Sequence, residues 1–156
     1  KRVTPTKGQV FRASEKVVDD LYRDVDVYYI ESEEEALYEV LQKVAQTSNS
    51  YFNYEINGIE KAQVMKYTAP SNGYSWHIDI GADGIAANRK IAVSILLNED
   101  YEGGEMAFRT AEQIEKVKPK TGEVVAFSSF ISHSVRPITK GERYVVVAWF
   151  TGPHFR

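Results

Sequence analysis

From Tyr51 onward the chain is cut at short intervals by turn chemistry, and between the turns its apolar residues tend to alternate with polar ones. Segments this short and of period two bury one face each as strands, so they must pair and enclose a common core. The pattern predicts strands over 51–56, 62–68, 74–80, 90–97, 104–109, 123–128, 133–135 and 143–151. The turns are Asn57-Gly58, Pro70-Ser71-Asn72-Gly73, Gly81-Ala82-Asp83-Gly84, Glu102-Gly103-Gly104, Lys120-Thr121-Gly122 and Thr139-Lys140-Gly141. Ahead of them one helix is predicted over 32–47, with Ser32 and Glu35 as a capping box and Leu37, Val40, Leu41 and Val44 at helical spacing. Many short strands and one helix predict a mainly β fold, a two-sheet jelly roll or double-stranded β-helix with the helix packed outside. Residues 1–156 are read as a single domain in which 1–50 form an irregular lead-in plus the outer helix.

Composition narrows the function. The formal charge of −3 gives no broad basic surface, so nucleic acid is not an expected partner. With no cysteine, thiol catalysis and cysteinyl metal sites are excluded, and a metal would have to be held by His, Asp or Glu. No apolar run approaches the roughly 20 residues of a membrane span, and the opening Lys1-Arg2-Val3-Thr4-Pro5 lacks the apolar core of a signal peptide. The expectation is a cytoplasmic protein without a membrane partner.

Two of the three histidines fall into a pattern with chemical meaning. His77 and Asp79, one residue apart on a strand, point to the same face, and His133 arrives from a later strand. Two imidazoles and one carboxylate on one side of an ion make the facial triad of non-haem Fe(II) oxygenases. An HxD tripeptide alone is common by chance, and the second half of the pattern is what sharpens it. The stretch from His133 through the turn at Gly141 to Trp149 reads as a hairpin that sets Arg143 near His133. Arg143 shares a face with Val145, Val147 and Trp149, so its cation would enter an apolar cavity and demand an anion. That anion is either a small dicarboxylate bound at the metal or a structural carboxylate such as Glu123 or Glu142. Tyr74 and Trp76 fall on the strand face opposite His77, where aromatics are most simply core. His154, near the C-terminus, reads as an exposed residue rather than a ligand. The loop 81–88 either closes over a substrate or merely joins two strands.

These segments resemble a known family. Gln63-Val64-Met65-Lys66-Tyr67, Tyr74-Ser75-Trp76-His77-Ile78-Asp79, Leu97-Asn98-Glu99-Asp100-Tyr101-Glu102-Gly103-Gly104-Glu105 and Gly141-Glu142-Arg143-Tyr144 together are similar to the 2-oxoglutarate- and Fe(II)-dependent oxygenases of the prolyl 4-hydroxylase-like branch, including its short bacterial and viral hydroxylases. The resemblance implies that His77, Asp79 and His133 bind iron, that Arg143 grips the distal carboxylate of 2-oxoglutarate, and that Tyr67 hydrogen-bonds near the co-substrate. It also implies Fe(II), 2-oxoglutarate and O2 as cofactor and co-substrates, ascorbate as a reductant, and hydroxylation of a C–H bond coupled to decarboxylation of 2-oxoglutarate to succinate. The implied substrate is a proline-containing peptide or protein. This chain departs from some relatives by carrying Arg143 rather than Lys, and Val93 and Ile95 where a second tyrosine sits elsewhere. The Gly103-Gly104 pair is read as backbone geometry, and Glu105 is given no catalytic role. Two other readings keep the fold: a cupin-like enzyme using Zn or Mn at the same ligands, and a jelly-roll binding module without catalysis.

Overall fold

In the computed structural model, which describes residues 4–12 and 15–154, the alternating segments become strands of two facing sheets. In chain order these are β1 (Thr6–Lys7), β2 (Gln9–Arg12), β3 (Glu15–Val18) and β4 (Asp26–Tyr29), then helix α1 (Glu35–Phe52), then β5 (Gly58–Ile59), β6 (Gln63–Thr68), β7 (Tyr74–His77), β8 (Arg89–Leu96), β9 (Tyr101–Gly103), β10 (Met106–Thr110), β11 (Gln113–Val117), β12 (Val124–Ser128), β13 (Ser132–Val135) and β14 (Ile138–Thr151). The major sheet runs β1-β4-β6-β14-β8-β12, with β5 and β9 also paired to β14. The minor sheet runs β11-β10-β13-β7, and β2 and β3 form a separate hairpin. This is the expected jelly roll with an outer helix.

The continuous apolar run of β14 explains the layering. Val145 and Trp149 join Met65, Leu96, Met106, Phe108 and Val135 in a core between the sheets, whereas Val146, Ala148 and Phe150 join Leu41, Ile91 and Val93 beneath the helix. A strand buried on both faces has no polar side to offer, so alternation disappears from its sequence.

Several expectations are corrected. The helix begins at Glu35, its N-cap Glu34 receives no side-chain bond, and Ser32 Oγ reaches only Glu33 Oε2 at 3.4 Å, so the capping box does not form. The helix also runs to Phe52, because Leu37, Leu41, Val44, Ser48 and Phe52 continue the inward stripe through a polar stretch. It ends where Asn53 takes a left-handed conformation (φ 53°) and Asn49 clamps both the N–H and the carbonyl of Tyr54. Residues 51–56 are therefore not a strand. The lead-in read as irregular carries β1 to β4, and β5, β9 and β11 lie where no strand is expected; β11 is a charged edge strand with almost every residue exposed, so no buried face marks it.

The largest correction concerns the hairpin. β13 and β14 do not pair with each other: β13 lies between β10 and β7, while β14 pairs with β5, β6, β8 and β9. The chain crosses from one sheet to the other near Pro137. Gly141 mimics a turn residue, with φ 75°, yet sits inside β14; a Cβ there would stand 2.5 Å from the Asp100 carbonyl. Its role is close approach of β9, not reversal of the chain.

Candidate active site

His77 and His133 come together because β7 and β13 place them directly opposite one another. Each ring is oriented by its own strand: Nδ1–H of His77 donates to the Ser75 carbonyl (2.7 Å) and Nδ1–H of His133 to the Ile131 carbonyl (2.9 Å). With the proton on Nδ1, each Nε2 presents a lone pair. Both lone pairs meet Asp79, with Nε2 of His77 3.7 Å from Oδ1 and Nε2 of His133 3.6 Å from Oδ2. The three donor atoms all lie within 4.8 Å of one another. Burial, followed by the neighbouring His133, lowers the His77 pKa to about 4, which keeps the imidazole neutral near pH 7.

Asp79 lies just beyond the end of β7, where ladder pairing has stopped. Two main-chain contacts hold it instead: its N–H donates to the Ser129 carbonyl (2.9 Å), and its carbonyl accepts from Arg89 Nη1 (3.1 Å). Tyr74 is also part of the site, contrary to its expected place on the opposite face. The register of β7 against β13 advances three residues for two between the pairs Tyr74↔Val135 and His77↔His133, and this bulge turns Tyr74 to the side of His77. Its ring stacks on the imidazole with centroids 3.5 Å apart. Trp76 stays away from the cavity, under the Arg109 guanidinium at 4.4 Å.

The other wall belongs to the major sheet. Arg143, Val145, Val147 and Trp149 do share a face and line the same cavity as His77, Asp79 and His133. Arg143 reaches it from the facing sheet rather than from a hairpin. It is 1% exposed, and its Nε and Nη1 have no hydrogen-bond partner. Among the described residues no ion pair includes Arg143: Glu142 pairs with Lys66 at 2.6 Å, and Glu123 accepts from the Lys120 main chain. Gly103 and Gly104 have φ of 80° and 68°, as backbone geometry required, and a Cβ on Gly104 would press on Arg143 Cδ at 2.9 Å. Tyr67 stands directly opposite Arg143 in the β6–β14 ladder, its ring 5.5 Å from the guanidinium carbon and its hydroxyl 3.9 Å from Met65 Sδ. Burial raises its pKa, so the phenol stays a donor.

A buried group of three electron-pair donors repels itself unless a cation sits among them, and a buried guanidinium with free donors calls for an anion. The residues present therefore fit a divalent metal and a dicarboxylate side by side. Met65 and Met106, unbranched and adaptable, form part of the cavity lining. Ser94 also lines the cavity, directly opposite Val147. Of the positions compared with a second tyrosine, Ile95 belongs to the cluster beneath the helix, whereas Val93, also packed in that cluster, borders the cavity. Ser94 and Arg89 carried no signal in the sequence that set them apart from other strand residues. His154 is exposed, as expected. The loop after Asp79 contains a 3-10 turn, Ile85–Asn88. No helix among the described residues is long and apolar enough to cross a membrane.

The family model of the 2OG-Fe(II) oxygenase superfamily matches residues 62–151. A PKHD-type hydroxylase of Alteromonas mediterranea is 33% identical over 86 residues, covering 51% of this chain and 38% of that protein. A second PKHD-type hydroxylase, from Prochlorococcus marinus strain NATL1A, is 35% identical over 88 residues, 54% of this chain and 40% of its own length. Each match thus spans less than half of the curated relative. Among solved structures, the Trichoplax adhaerens prolyl hydroxylase in complex with a hypoxia inducible factor oxygen degradation domain peptide superposes with TM-score 0.73 at 23% identity, covering 94% of this chain and 70% of that one. A Pseudomonas putida prolyl-4-hydroxylase gives TM-score 0.73 at 23% identity, with 87% and 75% covered. At these identities the structures establish the shared fold.

Proposed function

We propose that this chain, which belongs to the 2OG-Fe(II) oxygenase superfamily, is the dioxygenase unit of a hydroxylase that acts on proline in a peptide or protein. The observation that carries this reading is one cavity holding two opposite charges of demand: the His77, Asp79 and His133 donor set on one wall and the unpartnered Arg143 on the other. In this reading His77, Asp79 and His133 hold Fe(II), Arg143 pairs with the distal carboxylate of 2-oxoglutarate, and Tyr67 donates beside it. Bound Fe(II) with 2-oxoglutarate supplies the activation of O2 that hydroxylates a C–H bond while the co-substrate is decarboxylated to succinate.

The chain's own residues then have separate tasks. Nδ1 anchoring of both imidazoles holds the metal-binding nitrogens in place without reorganisation. Asp79 contributes the anionic donor that distinguishes Fe(II) binding from an all-imidazole site. Arg143 offers a rigid fork matched to a carboxylate. A cupin-like zinc or manganese enzyme has no use for such a buried anchor. The prolyl substrate is supported by the shared fold with the two prolyl hydroxylases and by the PKHD-type hydroxylase relatives.

The test is anaerobic titration of the metal-free protein with Fe(II) and 2-oxoglutarate, followed by turnover with proline-containing peptides under air and ascorbate. The expected results are a visible charge-transfer band, succinate release and a product heavier by one oxygen. No band, together with no succinate, would overturn the assignment; a band with succinate but no modified peptide would overturn only the choice of proline.

A further inference from the structure

The carboxylate of the candidate triad is the donor with least support from its own strand. His77 and His133 are pinned by ladder pairing and by their ring contacts, but Asp79 begins the irregular segment that leads to the Ile85–Asn88 turn. What replaces the ladder is the Ser129 carbonyl on one side and Arg89 on the other.

Arg89, the first residue of β8, uses each part of its guanidinium. Nε and Nη2 form a fork onto the two carboxylate oxygens of Glu60 (2.5 and 2.7 Å), and Nη1 donates to the Asp79 carbonyl (3.1 Å). The flat face lies 3.9 Å from the centre of the Trp149 ring, itself part of the cavity wall. Glu60 is buried, and its own N–H donates to the Trp149 carbonyl (3.0 Å). A continuous path therefore runs from β14 through Glu60 and Arg89 to the main chain of Asp79, joining the sheet that carries Arg143 to the segment that carries the carboxylate. We infer that Arg89 is a positioning residue: held by Glu60, it fixes the Asp79 carboxylate opposite the two imidazoles and keeps the Trp149 ring against the cavity. This rests on the reading above that Asp79 is a metal ligand. A purely structural Arg89–Glu60 pair would need only the fork; the third donor on Asp79 is the feature such a role leaves unexplained. Lysine cannot reproduce the arrangement, because a single ammonium does not offer a planar fork together with a third directed donor and a stacking face.

Metal affinity separates the two roles. The metal-free protein is titrated with Co(II), reading its ligand-field absorption, in the wild type and in Asp79→Ala, Arg89→Met, Arg89→Lys, Glu60→Gln and Leu41→Ala. Leu41 is on the inward face of the helix, away from the cavity, and reports what general destabilisation does to binding. The expected result is a Kd for Co(II) raised roughly 10- to 100-fold in Arg89→Met, with a changed spectrum, partial recovery in Arg89→Lys and no change in Leu41→Ala. Folded Arg89→Met that binds Co(II) within about twofold of the wild type overturns the inference, as does an equal loss in Leu41→Ala. If Arg89→Met does not fold, Glu60→Gln decides, with weakened binding expected and unchanged binding overturning the inference. Undiminished Co(II) binding in Asp79→Ala would instead overturn the ligand assignment itself.

Discussion

Replacing Arg143 by Met should make the metal-free protein more stable and, at the same time, nearly unable to use 2-oxoglutarate. The guanidinium is 1% exposed, with two of its nitrogens unpartnered, and among the described residues its compensation is two aromatic rings, Tyr67 and Tyr101, at 5.5 and 6.0 Å. Replacing even a paired set of buried charges by apolar side chains of similar volume gains up to about 1–4 kcal/mol, and an unpaired charge has less to lose. Rings at these distances return about 0.5–1 kcal/mol each. Less the two rings, the net gain centres on about 1 kcal/mol, which for a chain of this size raises Tm by roughly 2–4 °C. The loss on the co-substrate side is larger. Two charge-assisted hydrogen bonds to a carboxylate contribute about 3–6 kcal/mol, so the 2-oxoglutarate requirement should rise at least ~100-fold. The assay pairs thermal unfolding of the metal-free proteins with succinate release as a function of 2-oxoglutarate. Loss of about 2 kcal/mol or more on substitution would mean that Arg143 has a structural partner, and an unchanged 2-oxoglutarate requirement would remove it from the co-substrate site.

Other expected outcomes follow from the same geometry. Asp79→Ala should abolish tight Fe(II) retention, measured by metal content after dialysis, while leaving far-UV circular dichroism unchanged; retained iron would contradict its role. In the metal-free protein the His77 pKa near 4, against 6.5 when unfolded, means the unfolded chain takes up a proton that the folded one refuses, so stability falls as pH drops through that window. The effect approaches 1.4 kcal/mol per pH unit, roughly 3 kcal/mol in all, and urea midpoints at pH 7 and pH 5 should converge in His77→Gln. Gly141→Ala should destabilise by at least about 1 kcal/mol, since its Cβ would meet the Asp100 carbonyl at a positive φ; an unchanged urea midpoint would show that β9 shifts freely.

The donor set was legible because its geometry follows from local periodicity and residue type. His77 and Asp79 two apart, a second histidine, and Arg143 in phase with Val145, Val147 and Trp149 are all statements about single strands. What depends on how strands are partnered was not. Gly141 reads as a turn in the sequence but packs against β9 in the fold; Arg143 still shares one cavity with the histidines, because both sheets face it. Tyr74 moved faces through a bulge that only the β13 register reveals. The sequence alone ends the helix early because Thr47-Ser48-Asn49-Ser50 reads as polar, although Ser48 lies on the buried stripe. Arg89 and Glu60 are 29 residues apart and adjacent to no motif, so their link to Asp79 exists only in three dimensions.

The most direct measurement is a crystal structure of the protein grown without oxygen in the presence of Fe(II) and 2-oxoglutarate. The expected density places the metal on Nε2 of His77, a carboxylate oxygen of Asp79 and Nε2 of His133, with the far carboxylate of the diacid paired to Arg143. Iron bound elsewhere, or a diacid whose distal end avoids Arg143, would contradict the account.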